Sequence, residues 1–164
     1  MKTKFFILVL TSLIGFSSAL FAENLRMAYS SSPRSIDPFP YGGASTAGYK
    51  EHVFEALVAA DDSPLLSTGW VWNSSTSLTV NLRRGIKFHN GEDFTARDVV
   101  YSACRMMYRV DGKRNLLTSS MGPISDVVEV DSHTVRFETK NPYPLWIQKM
   151  NFLSMLSAYG GDLR

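Results

Sequence analysis

Cysteine is almost absent from this sequence, which has a single one, Cys104, in 164 residues. One cysteine cannot form an internal disulfide, so the fold must rest on a conventional hydrophobic core. Because Cys104 falls within a predicted helix, we expect it to be a small buried apolar residue. Histidine is also scarce, and His52, His89 and His133 are too widely spaced for a metal-binding motif. The sequence therefore predicts no metal site and no cofactor.

The sequence also lacks the short motifs of common enzyme sites. It contains no Gly-Lys-Ser/Thr phosphate loop and no Gly-x-Ser-x-Gly nucleophile elbow, and Gly42-Gly43 alone is too weak a signal for a dinucleotide site. Two carboxylate pairs, Asp61-Asp62 and Glu92-Asp93, stand beside turn-forming residues, where short acidic side chains commonly bond the backbone. We therefore expect a protein that is not an enzyme.

Charge of one sign is not in excess either. The 17 basic and 15 acidic residues are scattered along the chain and give a formal net charge of +2. Arg83, Arg84 and Lys87 form the densest basic group, which fits an ordinary solvated surface. The charge pattern predicts no nucleic acid partner.

What the sequence does have at its start is the three-part pattern of a secretory signal peptide. Two lysines precede an apolar run that begins at Phe5, and small residues follow it. Cleavage after Ala22 or after Ala19 fits the pattern, and we take 1–22 as the signal peptide and 23–164 as the mature domain. An uncleaved membrane anchor is the alternative, although polar residues interrupt the run. No cysteine follows the run to carry a lipid, so the sequence predicts export to the periplasm in soluble form.

Alternation and turn residues predict the secondary structure of the remainder. Asn90-Gly91 indicates a tight turn, because glycine readily adopts a positive φ. Thr95 and Asp98 form the pattern of a capping box at the start of a helix. The expected strands cover 25–29, 78–82, 127–130 and 134–138, and Asp131-Ser132-His133 is expected to join the last two as a hairpin. The expected helices cover 49–59, 96–108 and 145–150, and residues 65–72 lead into a polar turn over 73–76. The inner side of the second helix is expected to carry Val99, Val100, Ala103, Met106 and Met107.

A glycine-containing loop follows the first expected strand and reads Tyr41-Gly42-Gly43-Ala44-Ser45-Thr46. Its glycines let the backbone turn sharply or approach a ligand closely, and Ser45 or Thr46 can cap the next helix. Glycine amides and small hydroxyls can also bond a peptide main chain without reading its side chains. The residues alone are equally compatible with a capped turn and with a binding loop.

The most regular stretch of the sequence carries a family resemblance. Residues 82–91 read LRRGIKFHNG and residues 94–102 read FTARDVVYS. These segments resemble the signature of the family 5 extracellular solute-binding proteins, the dipeptide, oligopeptide and nickel receptors of ABC importers. Residues 33–38 and 53–58 resemble two earlier segments of that family's pattern, in the same order, so that the resemblance covers about 25–156.

The resemblance implies an α/β fold of the periplasmic binding protein-like type II kind (cluster C). That fold has two α/β lobes that close over a ligand, with an extra α/β subdomain inserted in the first lobe. Strand 25–29 would then be the first strand of the first lobe, and most of the remaining sequence would form the inserted subdomain. The fold would be incomplete in this sequence, because no part of it resembles the second lobe.

The resemblance also implies a site and a role. In the family the loop after the first strand lines the ligand cleft, and a second segment lies next to it. The corresponding ligand-binding residues here are Tyr41, Gly42, Gly43, Ser45, Thr46, Phe152 and Ser154. The implied function is the capture of peptides or similar small solutes, without catalysis, by a monomeric substrate-binding protein. That protein would deliver its ligand to ABC permease subunits in the inner membrane.

Two alternatives stay open at this level. The chain could be a truncated remnant of such a protein that binds nothing by itself. With less support from its motifs, it could be a small secreted hydrolase. The sequence does not distinguish a peptide from a nickel complex or another small solute as the ligand.

Overall fold

The computed structural model describes residues 28, 31–32, 35–39, 44–108 and 121–159. Within them, two hairpins build a four-stranded antiparallel sheet in the order β1-β2-β4-β3. The strands are β1 Ser67–Ser74, β2 Ser77–Leu82, β3 Ile124–Asp131 and β4 Thr134–Thr139. Each hairpin contributes one central strand and one edge strand, because β2 and β4 pair with each other.

Three helices accompany the sheet in the described part of the chain. They are α1 Ala44–Val53, α2 Ala96–Met107 and α3 Trp146–Lys149, and α3 continues into a 3₁₀ turn, Met150–Phe152. Helix α2 packs against β3 and β4. None of the helices found among the described residues is both long enough and apolar enough to pass through a membrane.

One face of the sheet forms the core. Leu78 and Val80 of β2 lie opposite Phe137 and Val135 of β4, and all four side chains are fully buried. Because side chains alternate between the two faces of a strand, these four point to the same side of the sheet. The alternation that predicted strands over 78–82 and 134–138 is therefore confirmed.

The opposite face of the sheet carries polar side chains that bond one another across three strands. Asn73 Nδ2 of β1 donates to Thr79 Oγ1 of β2 at 2.7 Å. Ser77 Oγ of β2 donates to Glu138 Oε1 of β4 at 3.0 Å, and Arg136 Nε donates to the same oxygen at 2.8 Å. The sheet is therefore apolar on its core side and polar on its outer side, as expected for an antiparallel sheet with one solvated face.

The predicted helix over 96–108 is confirmed, and its last residue is Met107. Thr95 precedes it in an extended conformation and forms a capping box with Asp98. The carboxylate makes the well-formed bonds of this box: Thr95 N–H donates to Asp98 Oδ2 at 2.8 Å, and the Thr95 hydroxyl donates to the same oxygen at 3.0 Å. The inner side of the helix buries three of the five predicted residues, Val99, Ala103 and Met106, whereas Val100 and Met107 are half-buried against the core.

Replacing Thr95 with alanine is expected to lower the free energy of unfolding by about 1 kcal/mol, because the side chain at the helix N-terminus is lost. Thr95→Ser keeps the hydroxyl and should stay close to the parent chain, which makes it the matched control. Chemical denaturation followed by far-UV circular dichroism measures both variants. Equal midpoints for the parent chain and Thr95→Ala would show that the hydroxyl contributes nothing.

The prediction for the first helix was wrong in its bounds. Helix α1 covers Ala44–Val53, rather than 49–59, so Ser45 and Thr46 lie in its first turn and not at the position before its first residue. The residues that follow it, 54–59, are not helical.

The physical reason is a competing backbone pairing just after α1. The Leu57 carbonyl oxygen accepts hydrogen bonds from Leu65 N–H at 3.1 Å, Ser67 N–H at 3.1 Å and Ser67 Oγ at 2.8 Å. Leu57 and Val58 are fully buried, but through this pairing and not along one side of a helix. Their spacing fitted a helix only because a short apolar run satisfies both periods.

The predicted turns are confirmed where the structure describes them. Gly91 has a φ of +88°, in the left-handed region that Asn90-Gly91 predicted. Residues 132–133 connect β3 to β4 as the expected hairpin turn, and His133 N–H donates to Asp131 Oδ1 at 2.7 Å. The helix expected over 145–150 is present as α3 and its 3₁₀ extension.

Cys104 is half-buried, not fully buried as predicted. It lies one position beyond Ala103, and a step of one residue turns a side chain by about 100° around the helix, away from the buried stripe. Burial, and secondarily the negative charge of Asp126, raise the pKa of the Cys104 thiol, so the thiol is protonated at neutral pH.

Two predictions fall outside the described residues. One is the division into a signal peptide, 1–22, and a mature domain, 23–164. The other is the strand over 25–29, of which only Ala28 is described. Both stay predictions.

Candidate functional site

The predicted ligand-binding residues fall in two parts of the chain. Tyr41, Gly42 and Gly43 lie outside the described residues. The structure describes the backbone of Ser45 and Thr46, which belongs to α1, but not their side chains. The relation of this loop to the second group, Phe152 and Ser154, therefore stays a prediction.

Phe152 and Ser154 differ in how open they are. Phe152 ends the 3₁₀ turn and is half-buried, with Lys149 Nζ 5.4 Å from the centre of its ring. A cation at that distance interacts favourably with the ring face and helps to hold it in place. Ser154 is only 2% exposed. Of the two, Phe152 is the side chain that a ligand can reach in the chain as it stands.

Asn151 is a neighbouring residue that sequence reasoning did not select as a binding residue. Its side-chain Oδ1 is buried and has no hydrogen-bond partner in the described structure. A buried acceptor without a donor costs about 1–3 kcal/mol, so such an atom indicates a donor that is not among the described groups. Sequence could not have shown this, because asparagine is as common in solvated turns.

The segment after Phe152, residues 153–158, runs back along α2 and is held at several points; we call it the return segment. Leu156 N–H donates to Ser102 Oγ at 2.9 Å, and Ala158 N–H donates to Asp98 Oδ1 at 2.8 Å. Met155 N–H donates to the Glu55 carbonyl oxygen at 2.9 Å.

The return segment is also tied to the predicted turn at Asn90-Gly91. Ser157 Oγ donates to Glu92 Oε2 at 2.6 Å, and Asn90 Nδ2 donates to the same oxygen at 3.0 Å. Together with the bonds to α2, these contacts fix the backbone that carries Phe152 on its C-terminal side.

The segment that leads into the candidate loop is attached to the same helix. Arg105 of α2 pairs with Asp37 at 2.6 Å, and both side chains are half-buried. Phe39 is fully buried, and its N–H donates to Asp37 Oδ1 at 3.1 Å. The Tyr49 hydroxyl of α1 donates to the Ser35 carbonyl oxygen. Burial and the nearby Asp37 carboxylate raise the pKa of the Tyr49 phenol.

A half-open groove of about 320 Å³ lies beside the return segment. Leu66, Phe94 and Met155 are apolar residues of its lining, while His52 and Lys87 stand among its polar ones. No single part of the sequence predicts this groove, because its walls come from five separate stretches of the chain. Nowhere in the described ranges do three or more histidine, cysteine, aspartate or glutamate side chains gather as metal ligands do.

Asp61 bonds the backbone of its turn, as predicted, whereas Glu92 and Asp93 bond side chains around the Asn90-Gly91 turn. Asp61 Oδ1 accepts from the Ser63 hydroxyl at 2.6 Å and from Ser63 N–H at 3.1 Å, and these bonds lower the pKa of the Asp61 carboxyl. Asp93 forms an exposed ion pair with Lys87 at 2.6 Å, across the same turn in which Glu92 holds Asn90.

The described elements form part of the α/β fold of the type II periplasmic binding proteins, as a comparison with solved structures shows. A dipeptide binding protein from Pseudoalteromonas sp. SM9913, solved in complex with Met-Leu, superposes with a TM-score of 0.69 at 25% identity, covering 78% of this chain and 30% of that one. NikZ from Campylobacter jejuni, in complex with Ni(L-His), superposes with a TM-score of 0.64 at 20% identity over 79% of this chain and 26% of that one. The predicted fold class is confirmed.

Residues 63–164 match the family described as bacterial extracellular solute-binding proteins, family 5 Middle. The chain belongs to this family of solute-binding proteins, as the signature over 82–102 indicated. Di/tripeptide-binding protein 2 of Pseudomonas aeruginosa is 30% identical, and the match covers 86% of this chain and 31% of the relative. The chain thus spans less than a third of the length of that relative and of each of the two solved structures.

Proposed function

We propose that this chain is part of the substrate-binding component of an ABC importer. It captures a peptide or a similar small solute without chemical change, as a monomer in the periplasm, and delivers it to permease subunits in the inner membrane. The observation that carries the proposal is the family match over 63–164, together with the likeness to a dipeptide binding protein along 78% of the chain.

A short peptide is the ligand class that this relationship favours. The curated relative at 30% identity is named for di- and tripeptides, whereas the neighbour solved with a nickel complex is 20% identical and shows the fold alone. The loop Tyr41-Gly42-Gly43 with Ser45 and Thr46 would bond the main chain of such a peptide through backbone amides and hydroxyls. Phe152 would contact it from the second segment.

The mechanism is capture by closure. Ligand contacts on two facing walls stabilise a closed arrangement over an open one, and the closed arrangement is the one that a permease recognises. The residues proposed here supply one of the two walls. A single wall covers only one side of a dipeptide, so its contacts alone make a weak complex.

The 164-residue chain is therefore expected to bind Met-Leu with a dissociation constant of about 1 mM, which corresponds to about −4 kcal/mol. Titration of the isotope-labelled chain by NMR should shift the amide signals of Gly42 and Gly43 and the ring signals of Phe152. Phe152→Ala should reduce the response at least threefold, and Val130→Ala, at an exposed position of β3, should leave it unchanged.

Three results would contradict parts of this picture in different ways. No response to Met-Leu up to about 20 mM would remove the proposed peptide function of the chain. A response that Phe152→Ala leaves intact would remove Phe152 from the site. Sub-micromolar affinity would show that the chain forms a complete pocket by itself and that the one-wall mechanism is wrong.

A further inference from the structure

Two polar side chains lie buried on the inner side of α2. Asp98 and Ser102 are both 0% exposed, in a helix whose other inward residues are apolar, such as Val99 and Ala103. Being four residues apart, they lie one above the other on the same side of the helix. Burying a carboxylate and a hydroxyl is costly unless both are hydrogen-bonded, so the partners of these two groups show why the positions are polar.

Both partners belong to the return segment. Asp98 Oδ1 accepts from Ala158 N–H at 2.8 Å, and Ser102 Oγ accepts from Leu156 N–H at 2.9 Å, across separations of 60 and 54 residues. Ser102 Oγ itself donates to the Asp98 carbonyl oxygen at 2.7 Å, which orients the hydroxyl so that it can accept. Both contacts reach backbone amides two residues apart, so they fix the path of the return segment whatever its side chains are.

The helix cap is a separate function of the same carboxylate. Asp98 Oδ2 accepts from Thr95 N–H and Oγ1, while Oδ1 is left for Ala158. One side chain thus joins the start of α2 to a segment that follows the whole sheet in sequence. A residue needed only for the cap would not have to be fully buried, nor to reach a second element.

The position of Phe152 depends on this attachment. Only three residues separate Phe152 from Leu156, so the anchored amide limits Phe152 to within about 14 Å of it. On its other side Phe152 is continuous with α3, and Lys149 holds its ring. Arg105, three residues beyond Ser102, pairs with Asp37 in the segment that leads to the candidate loop. Helix α2 thus contacts the segment that precedes the candidate loop and the return segment that follows Phe152.

We infer that Asp98 and Ser102 are positioning residues for the ligand site: they hold the return segment, and with it Phe152, in one place against α2. The inference deepens the proposed function and rests on it for the identity of the site. The family-like stretch over 94–102 then has a second role besides starting a helix, because two of its residues determine where a site residue lies.

The test uses the full 164-residue chain and two truncation variants, Ser102→Ala and Asp98→Ala, each of which removes one acceptor. Hydrogen exchange followed by NMR reports the protection of the Leu156 and Ala158 amides one by one. Thr95→Ala is the matched control, because it weakens the same capping box and leaves both anchoring bonds in place. Ser102→Thr keeps the hydroxyl and serves as the rescue variant.

Ser102→Ala is expected to speed exchange at Leu156 by about tenfold beyond the control, the consequence of losing one buried hydrogen bond. Asp98→Ala, which has no side-chain acceptor, should do the same at Ala158, whereas amides of β2 and β4 should follow overall stability alone. Both variants should shift the ring signals of Phe152 and weaken the Met-Leu response at least threefold. Ser102→Thr should restore protection at Leu156.

Exchange at Leu156 and Ala158 no faster than in Thr95→Ala would overturn the inference, as would faster exchange with an unchanged Met-Leu response. Failure of the proposed function is a different result, because the parent chain itself would then not respond to Met-Leu. In that case the exchange rates and the Phe152 ring signals still test whether Asp98 and Ser102 position Phe152. Ring signals that do not change in the variants would overturn that role.

Discussion

Replacing Phe137 with alanine is expected to lower the free energy of unfolding by about 4 kcal/mol, because truncating a buried phenylalanine loses its transfer energy and leaves a cavity. Phe137 is 0% exposed and sits in the central strand β4, between Leu78 of β2 and Val127 of β3. Its ring meets the ring of Trp146 edge to face, with centroids 5.0 Å apart, a geometry that adds about 0.5–1.5 kcal/mol to plain burial. Guanidinium denaturation followed by circular dichroism measures the loss.

Val71→Ala is the matched control for this substitution. Val71 belongs to the same sheet, but its side chain is 58% exposed, and surface truncations of this kind change stability by less than about 0.5 kcal/mol. If Phe137→Ala has no cooperative transition, Phe137→Leu, which keeps most of the volume, should give a measurable intermediate loss. A loss below about 1.5 kcal/mol for the alanine variant would show that Phe137 is not at the centre of the core.

The effect of Phe137 extends toward the candidate site through Trp146. Trp146 is the first residue of α3, and α3 leads within six residues to Phe152. The sheet core therefore holds Phe152 from the N-terminal side, while Asp98 and Ser102 hold it from the C-terminal side. A change in either place should move the Phe152 ring signals, although only the core change should lower stability by several kcal/mol.

Turns, strands and helices that depend mainly on their own residues could be predicted from the sequence. Asn90-Gly91 and the Asp131-Ser132-His133 turn act through the conformations of their own residues, and β2 and β4 show their alternation without interruption. Helix α2 combines a capping box with an apolar stripe, and two independent local signals agreed. A segment can be predicted from sequence when its capping residues and its hydrophobic pattern indicate the same structure.

β1 shows why other elements were not predicted. The sequence of residues 65–72 predicted no strand, only a segment that leads into a polar turn, yet Ser67–Ser74 forms a strand of eight residues. Its pairing with β2 shifts register between Ser67 and Gly69 and again between Trp72 and Ser74, and each irregularity breaks the alternation that identifies a strand. β1 forms because it pairs with β2, and the sequence of 67–74 alone does not show that pairing.

The candidate site also combines what the sequence could predict with what it could not. Its residues were chosen from a family resemblance, and the sequence could not show that Ser154 is nearly fully buried while Phe152 is half-buried. The capping-box pattern gave Asp98 a local explanation that concealed its bond to Ala158, 60 residues away. Long-range partners of a buried polar group are set by the packing of whole elements, so no window of the sequence contains them.

Gly122→Ala is expected to lower the free energy of unfolding by about 3 kcal/mol, through two separable causes. Gly122 has a φ of +72°, and placing a side chain in this left-handed region costs roughly 1–2 kcal/mol. A Cβ added there would also stand 2.4 Å from Cε1 and Cζ of the Tyr143 ring, well inside contact distance. Forcing that half-buried ring aside adds an overpacking cost of about 1–3 kcal/mol.

Gly85 separates these two causes, because its φ of +73° is nearly the same and an added Cβ would have no atom within 4 Å. Gly85→Ala should therefore lose only about 1 kcal/mol, the backbone cost alone. Removing the obstructing ring should cancel the difference, so that adding Gly122→Ala to a Tyr143→Ala chain costs no more than Gly85→Ala does. Equal losses for Gly85→Ala and Gly122→Ala in the parent chain would show that Tyr143 does not pack over Gly122. Because Tyr143 stands three residues before α3, a displaced ring should also shift the Phe152 signals, which Gly85→Ala should leave in place.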